Sequence, residues 1–231
     1  MSNVSGASEP SRRRQRSTAR RIGRIPTREE TTAFLESTDP AKRAALIDRL
    51  IGSEGYQSHL YNYFADLLRV RTNLTGGGQS ITAGLAYEQW IKSAIRENKP
   101  YDEFVYELVT AVGKVWKNPA IGYTLRDFGM PLDNFAMTSQ LFLGTQIVCA
   151  QCHNHPFERW TQDNYYGIGA AFARVGRKKA VKPEDEVIFV QDAGEVTQPR
   201  TGQTMKVHLL LEGDKEVPPE VDRREVFAEW L

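Results

Sequence analysis

Tyr56-Gln57-Ser58-His59-Leu60-Tyr61-Asn62-Tyr63-Phe64-Ala65-Asp66-Leu67-Leu68 sets the character of the chain. Tyr56, Leu60, Tyr63, Phe64, Leu67 and Leu68 recur at i, i+4, i+7, i+8, i+11 and i+12. That spacing lines one side of an α-helix and cannot be sorted onto alternate faces of a strand. The segments on either side follow the same period. Upstream, Thr27 and Glu30 form a T-x-x-E capping box behind Pro26, which predicts a helix from about Arg28 to just before Asp39-Pro40. Asp39 is placed to cap the next helix, with Pro40 at its first position, Leu46, Ile47, Leu50 and Ile51 on one face, and Gly52 as its stop.

Downstream, Gly76-Gly77-Gly78 reads as a flexible connection, because it lacks the G-K-[ST] ending of a phosphate loop. Leu85, Tyr87, Ile91, Ala94 and Ile95 predict a helix ending before Pro100. Phe104, Val105, Leu108, Val109 and Val112 predict another that stops at Gly113. Residues 114–132 read as irregular. Asp133 is expected to cap a helix with Leu141, Thr145, Val148 and Cys152 on one side, and Thr161 one running through Tyr165, Tyr166, Ile168, Ala171 and Phe172. After Gly176 the pattern changes. Val187-Ile188-Phe189-Val190 and Met205 to Leu211 are β-like runs, separated by a turn at Pro199-Arg200-Thr201-Gly202. Asp222 to Leu231 begins one more helix. The expected fold is mainly α, a multi-helix domain with a small C-terminal β appendage. The expected divisions are a disordered basic leader at 1–21, a helical domain at 22–176, and an appendage with the lead-in to a following domain at 177–231.

Composition narrows the function classes. The 231 residues carry a net charge of +1, too little surplus for a general nucleic-acid binder. No run of 18 apolar residues is present, so no membrane span is expected. The arginines at 12, 13, 14, 16, 20, 21 and 24 lack the apolar stretch of an export signal behind them and read as a solvated leader. There is no G-x-S-x-G and no H-E-x-x-H, so no catalytic signature is visible. Trp160, Tyr165 and Tyr166 suit an aromatic core better than a ligand cleft.

The only two cysteines fall within Cys149-Ala150-Gln151-Cys152-His153-Asn154-His155-Pro156-Phe157. C-x-x-C-H is the attachment pattern of c-type haem. Two thiols so spaced match the two vinyl groups on one porphyrin edge, and the next residue offers an imidazole to the iron. Cys149 and Cys152 would be the tethers and His153 the proximal ligand, with His59, His208, Met130 and Met137 as candidates for the sixth position. Three alternatives remain open at this level: a zinc site using Cys149, Cys152 and His155, a C-x-x-C redox pair, and inert thiols.

A wider set of segments carries a family resemblance. Ile22-Gly23-Arg24-Ile25-Pro26-Thr27-Arg28-Glu29-Glu30, Leu46 to Ile51, Asn98-Lys99-Pro100-Tyr101-Asp102-Glu103-Phe104-Val105, and above all Ser139 to Gly144 through Cys149 to Phe157, Trp160-Thr161-Gln162 and Tyr165-Tyr166 resemble the second type of planctomycete cytochrome c-like domain. That is a domain of unknown function usually found in large multidomain proteins. The resemblance implies haem c, an electron-transfer or redox-sensing role with a redox partner, and an exported, periplasmic setting. Pro199-Arg200-Thr201-Gly202 and Asp222 to Leu231 resemble the lead-in to the domain that commonly follows, so the resemblance implies a fragment of a larger protein. Readings from other classes are a helical interaction module with structural zinc and a non-catalytic part of a polysaccharide-active enzyme.

Overall fold

The computed structural model describes residues 21–74, 82–127, 130–178 and 185–231. The expected leader, apart from its last residue, and the triple-glycine connection lie outside these residues. The chain is mainly α, with small antiparallel strands toward its C-terminal end. Among the described residues no helix is long and apolar enough to cross a membrane.

Two compact units are present: residues 21–66 with Ile91–Asn98, and Leu67–Trp90 with Lys99–Leu231. In the first, α1 (Arg28–Glu36) opens on the expected capping box. Thr27 Oγ1 accepts from the Glu30 N–H at 3.2 Å, and Glu30 Oε2 accepts from the Thr27 N–H at 2.9 Å. Helix α2 (Lys42–Ile51) buries Leu46 and Leu50. Asp39 does not cap it directly. Its carboxylate accepts from the Ala41 N–H at 2.7 Å, forming a turn that delays the helix to Lys42. Helix α3 (Glu54–Leu67) carries the diagnostic stripe: Tyr56, Leu60, Phe64 and Leu67 are half-buried, Tyr63 is exposed, and Leu68, one residue past the helix, is fully buried.

The second unit holds the larger core. Helix α4 (Thr82–Arg96) contributes Tyr87 and Trp90, and α5 (Tyr101–Thr110) contributes Phe104, Val105, Leu108 and Val109. Trp90 stacks on Phe104 with ring centroids 5.1 Å apart. The stretch expected to be irregular is instead a packed element. A 3₁₀ turn at Pro119–Ile121 runs into α6 (Gly122–Leu125), and Ala120, Ile121 and Tyr123 are fully buried. Gly122 is the physical reason for the difference. A Cβ there would lie 2.3 Å from Tyr87 Cγ, so this glycine marks a close approach rather than a loop.

Helix α7 (Pro131–Leu143) packs on α8 (Gln162–Gly169), with Phe135 and Tyr165 edge to face at 4.7 Å. Asp133 sits in the first turn of α7 rather than at its cap, because Pro131 already occupies the opening position. A 3₁₀ turn, Ala170–Phe172, extends α8. Strands β1 (Gly113–Lys114), β2 (Val175–Lys178) and β3 (Val187–Val190) form an antiparallel sheet in the order β1-β3-β2. Strands β4 (Val207–Leu209) and β5 (Gly213–Lys215) form a hairpin. Helix α9 (Arg223–Trp230), capped by Asp222, drives Phe227 against Phe172 with centroids 5.3 Å apart. Burying each such aromatic is worth roughly 1.5–3 kcal/mol.

Candidate functional site

Helix α7 does not reach the cysteines. Gly144 ends it in the left-handed region at φ 65°, a conformation that favours glycine. Thr145 and Val148 therefore leave the predicted helical face, and Cys149 falls in a 3₁₀ turn, Val148–Gln151, with Cys152 immediately after it. Cys149 and Cys152 are both free and exposed. Ala150 between them is fully buried and roots the turn in the core.

The turn is held by the start of α8. Thr161 and Asn164 form a reciprocal capping box there. The Gln162 N–H donates to Asn154 Oδ1 at 3.0 Å, and the Gln162 side-chain amide donates to the Gln151 carbonyl at 2.9 Å. The Tyr166 hydroxyl donates to that same carbonyl at 3.0 Å. Burial first and the adjacent Cys152 second push the Tyr166 hydroxyl above the ordinary phenol range, which keeps it a donor. Tyr165 and Tyr166 are both buried, so they belong to the core rather than to an open cleft.

The two histidines of the motif are fixed differently. His153 Nδ1 lies 2.7 Å from the Asn154 carbonyl. A carbonyl can only accept, so Nδ1 carries the proton and the neutral ring keeps its lone pair on Nε2. His155 Nδ1 accepts from the backbone N–H groups of Glu158 at 2.9 Å and Phe157 at 3.3 Å. Its proton is therefore on Nε2, and its backbone N–H, separately, donates to the Trp160 carbonyl at 2.8 Å. In this conformation His155 offers no ring lone pair. Among the described residues no group of three His, Cys, Asp or Glu is gathered to hold a metal, so Cys149, Cys152 and His155 are not assembled as a zinc site.

The candidates for a sixth ligand are scattered. His208, on β4, donates from Nδ1 to Asp214 Oδ1 at 2.8 Å and accepts at Nε2 from Asn164 Nδ2 at 3.0 Å, so both ring nitrogens are engaged. Met130 is exposed before α7, Met137 is half-buried on that helix, and His59 belongs to the first unit. The turn also presents apolar surface. Phe157 is 93% exposed, and Val148 is exposed beside Cys149. Gln162, Asn164, Gln198 and His208 also support the turn, and no local signal marks them for it: they are ordinary polar residues, and the ties Gln162–Gln151, Gln198–Gln162 and Asn164–His208 span 11, 36 and 44 residues.

The family's sequence profile matches residues 3–177, and with them the whole cysteine turn. The chain belongs to the PSCyt2 family, described as proteins of unknown function, DUF1549. No curated protein and no solved structure matches it.

Proposed function

We propose that this PSCyt2 domain carries a c-type haem at Cys149, Cys152 and His153 and serves electron transfer or redox sensing within a larger exported protein. The observation that carries the reading is the pairing of two exposed thiols on a rooted turn with a His153 ring whose Nδ1 is tied to Asn154, leaving Nε2 for a metal. A metal-bound histidine needs this arrangement, since the hydrogen bond at the far nitrogen fixes tautomer and ring direction. The donor set therefore fits the group. When bound, haem supplies a one-electron iron couple whose potential follows axial ligation, hydrogen bonding and exposure. The chain's own residues do the rest. Cys149 and Cys152 act as tethers, His153 as the iron ligand, and Asn154 holds the imidazole proton away from the metal. Gln162 and Tyr166 fix the peptide that precedes Cys152.

The test is expression in a periplasm equipped for haem c maturation. A Soret band, with haem retained through denaturing electrophoresis and lost in Cys149→Ala and Cys152→Ala, is the expected result. A colourless wild-type protein from that host overturns the reading.

A further inference from the structure

We infer that the segment beyond the family match positions the cysteine turn through a relay of two buried glutamines, Gln198 and Gln162; that the positioned turn serves haem rests on the reading above.

Gln198 and Gln162 are each only 5% exposed. Gln198 Oε1 accepts from the backbone N–H groups of Arg200 at 2.6 Å and Thr201 at 2.8 Å. Those two donors leave its amide one orientation, with Nε2 pointing away from the Pro199–Gly202 turn. Nε2 then donates to Gln162 Oε1 at 3.1 Å and to Asp163 Oδ1 at 3.2 Å. The orientation of Gln162 follows. With Oε1 engaged by Gln198, its own Nε2 must face the Gln151 carbonyl, which it reaches at 2.9 Å. That carbonyl belongs to the peptide joining Gln151 to Cys152, so the relay fixes the plane from which Cys152 departs. A second tie runs in parallel. Asp214 orients His208, and His208 accepts from the Asn164 side chain, whose Oδ1 closes the Thr161 capping box. Residues after 177 thus reach the start of α8 from two sides. Buried amide networks of this kind are costly to half-break, so each member constrains the next.

Gln198 and Gln162 are positioning residues, and the experiment uses the full chain. Gln198→Glu keeps an oxygen for the Arg200 and Thr201 N–H groups but sets a carboxylate against Gln162 Oε1 and Asp163. Gln162→Leu cuts the link to Gln151. In the haem-free protein, hydrogen exchange at the His155 and Gln162 amides is expected to rise about tenfold in either variant, the value of one hydrogen bond. The double variant is expected to add nothing further, because the two residues act as one path. Iodoacetamide should modify Cys152 faster while Cys149 keeps its wild-type rate, a difference that general loosening would not produce. A Gln198→Glu protein that exchanges and alkylates like wild type overturns the relay, as does an additive double variant. A colourless wild type from the periplasmic expression, with the exchange pattern as expected, overturns the haem reading and supports the relay.

Discussion

His153 and His155, two residues apart, hold opposite tautomers: the first donates from Nδ1 to the Asn154 carbonyl, and the second accepts at Nδ1 from the Phe157 and Glu158 N–H groups. One ring keeps the lone pair of its Nε2, and the other staples a turn. Nitrogen-15 spectra of the ring nitrogens should report Nδ1–H for His153 and Nε2–H for His155. His155→Ala should lower stability by about 1 kcal/mol, through two backbone donors left to water, and on the proposed haem reading should still attach haem covalently. His153→Ala should leave thermal unfolding unchanged and, on the proposed haem reading, alter the haem spectrum by removing the proposed iron ligand. Reversed effects would exchange the roles given to the two residues.

Gly167 marks where α8 meets β4. A Cβ at this position would lie 2.5 Å from His208 Cβ, an atom fixed to the backbone that cannot swing aside. Gly167→Ala should therefore cost about 1–3 kcal/mol, the usual range for forcing volume into a packed site. Urea unfolding measures it. Because His208 supports Asn164, the same variant should also speed exchange at the amides of α8's first turn.

Acid should weaken one specific tie. Glu195 accepts from Arg223 through both carboxylate oxygens, at 2.8 and 2.9 Å, and from Arg174 at 2.9 Å. The hydrogen bond from Arg223 is the largest cause holding its carboxyl below the ordinary range; partial burial works the other way, and Arg174 adds to the lowering. A depressed folded value stabilises the protein above the unfolded value of about 4.3, and that contribution disappears as pH falls through the folded value. Glu195→Gln should thus be less stable than wild type at pH 7, with the difference shrinking below about pH 4.3. Denaturant midpoints measured across that range check the sign.

These contacts show where sequence reading succeeds and stops. The period of Tyr56 to Leu68, the caps at Thr27 and Thr161, and the helix that begins at Asp222 are legible because each signal is local. The cysteine motif is visible in the sequence, but its conformation is not, since Gly144 ends the helix before the cysteines while the apolar spacing runs on past it. Gly122 misled in the other direction, being a packing contact in a stretch that looked like loop. Strand β1 was invisible because Gly113 and Lys114 pair with Ile188 and Val187, far along the chain. The relay from Gln198 is hidden for the same reason: nothing local announces that an amide will be buried against a partner 36 residues away.

Arg224 makes the longest of these connections. It is 1% exposed, and its guanidinium caps the end of α5, donating from Nη1 to the Val109 carbonyl at 3.1 Å and from Nη2 to the Thr110 carbonyl at 3.3 Å. Positive charge is favourable at a helix C-terminus, where carbonyls lack internal partners. Asp222 balances it, with Nη2 2.6 Å from Oδ2. Arg224→Met removes the cation and leaves both the carbonyls and a largely buried carboxylate without it, a loss expected at about 3–5 kcal/mol. Asp222→Asn added to Arg224→Met should recover part of that loss by removing the stranded charge, even though Asp222 also caps α9 through the Arg224 N–H. Thermal and urea unfolding of the two variants measure both numbers. If Arg224→Met unfolded like wild type, α5 would not depend on this charge, and its C-terminal carbonyls would be satisfied by water.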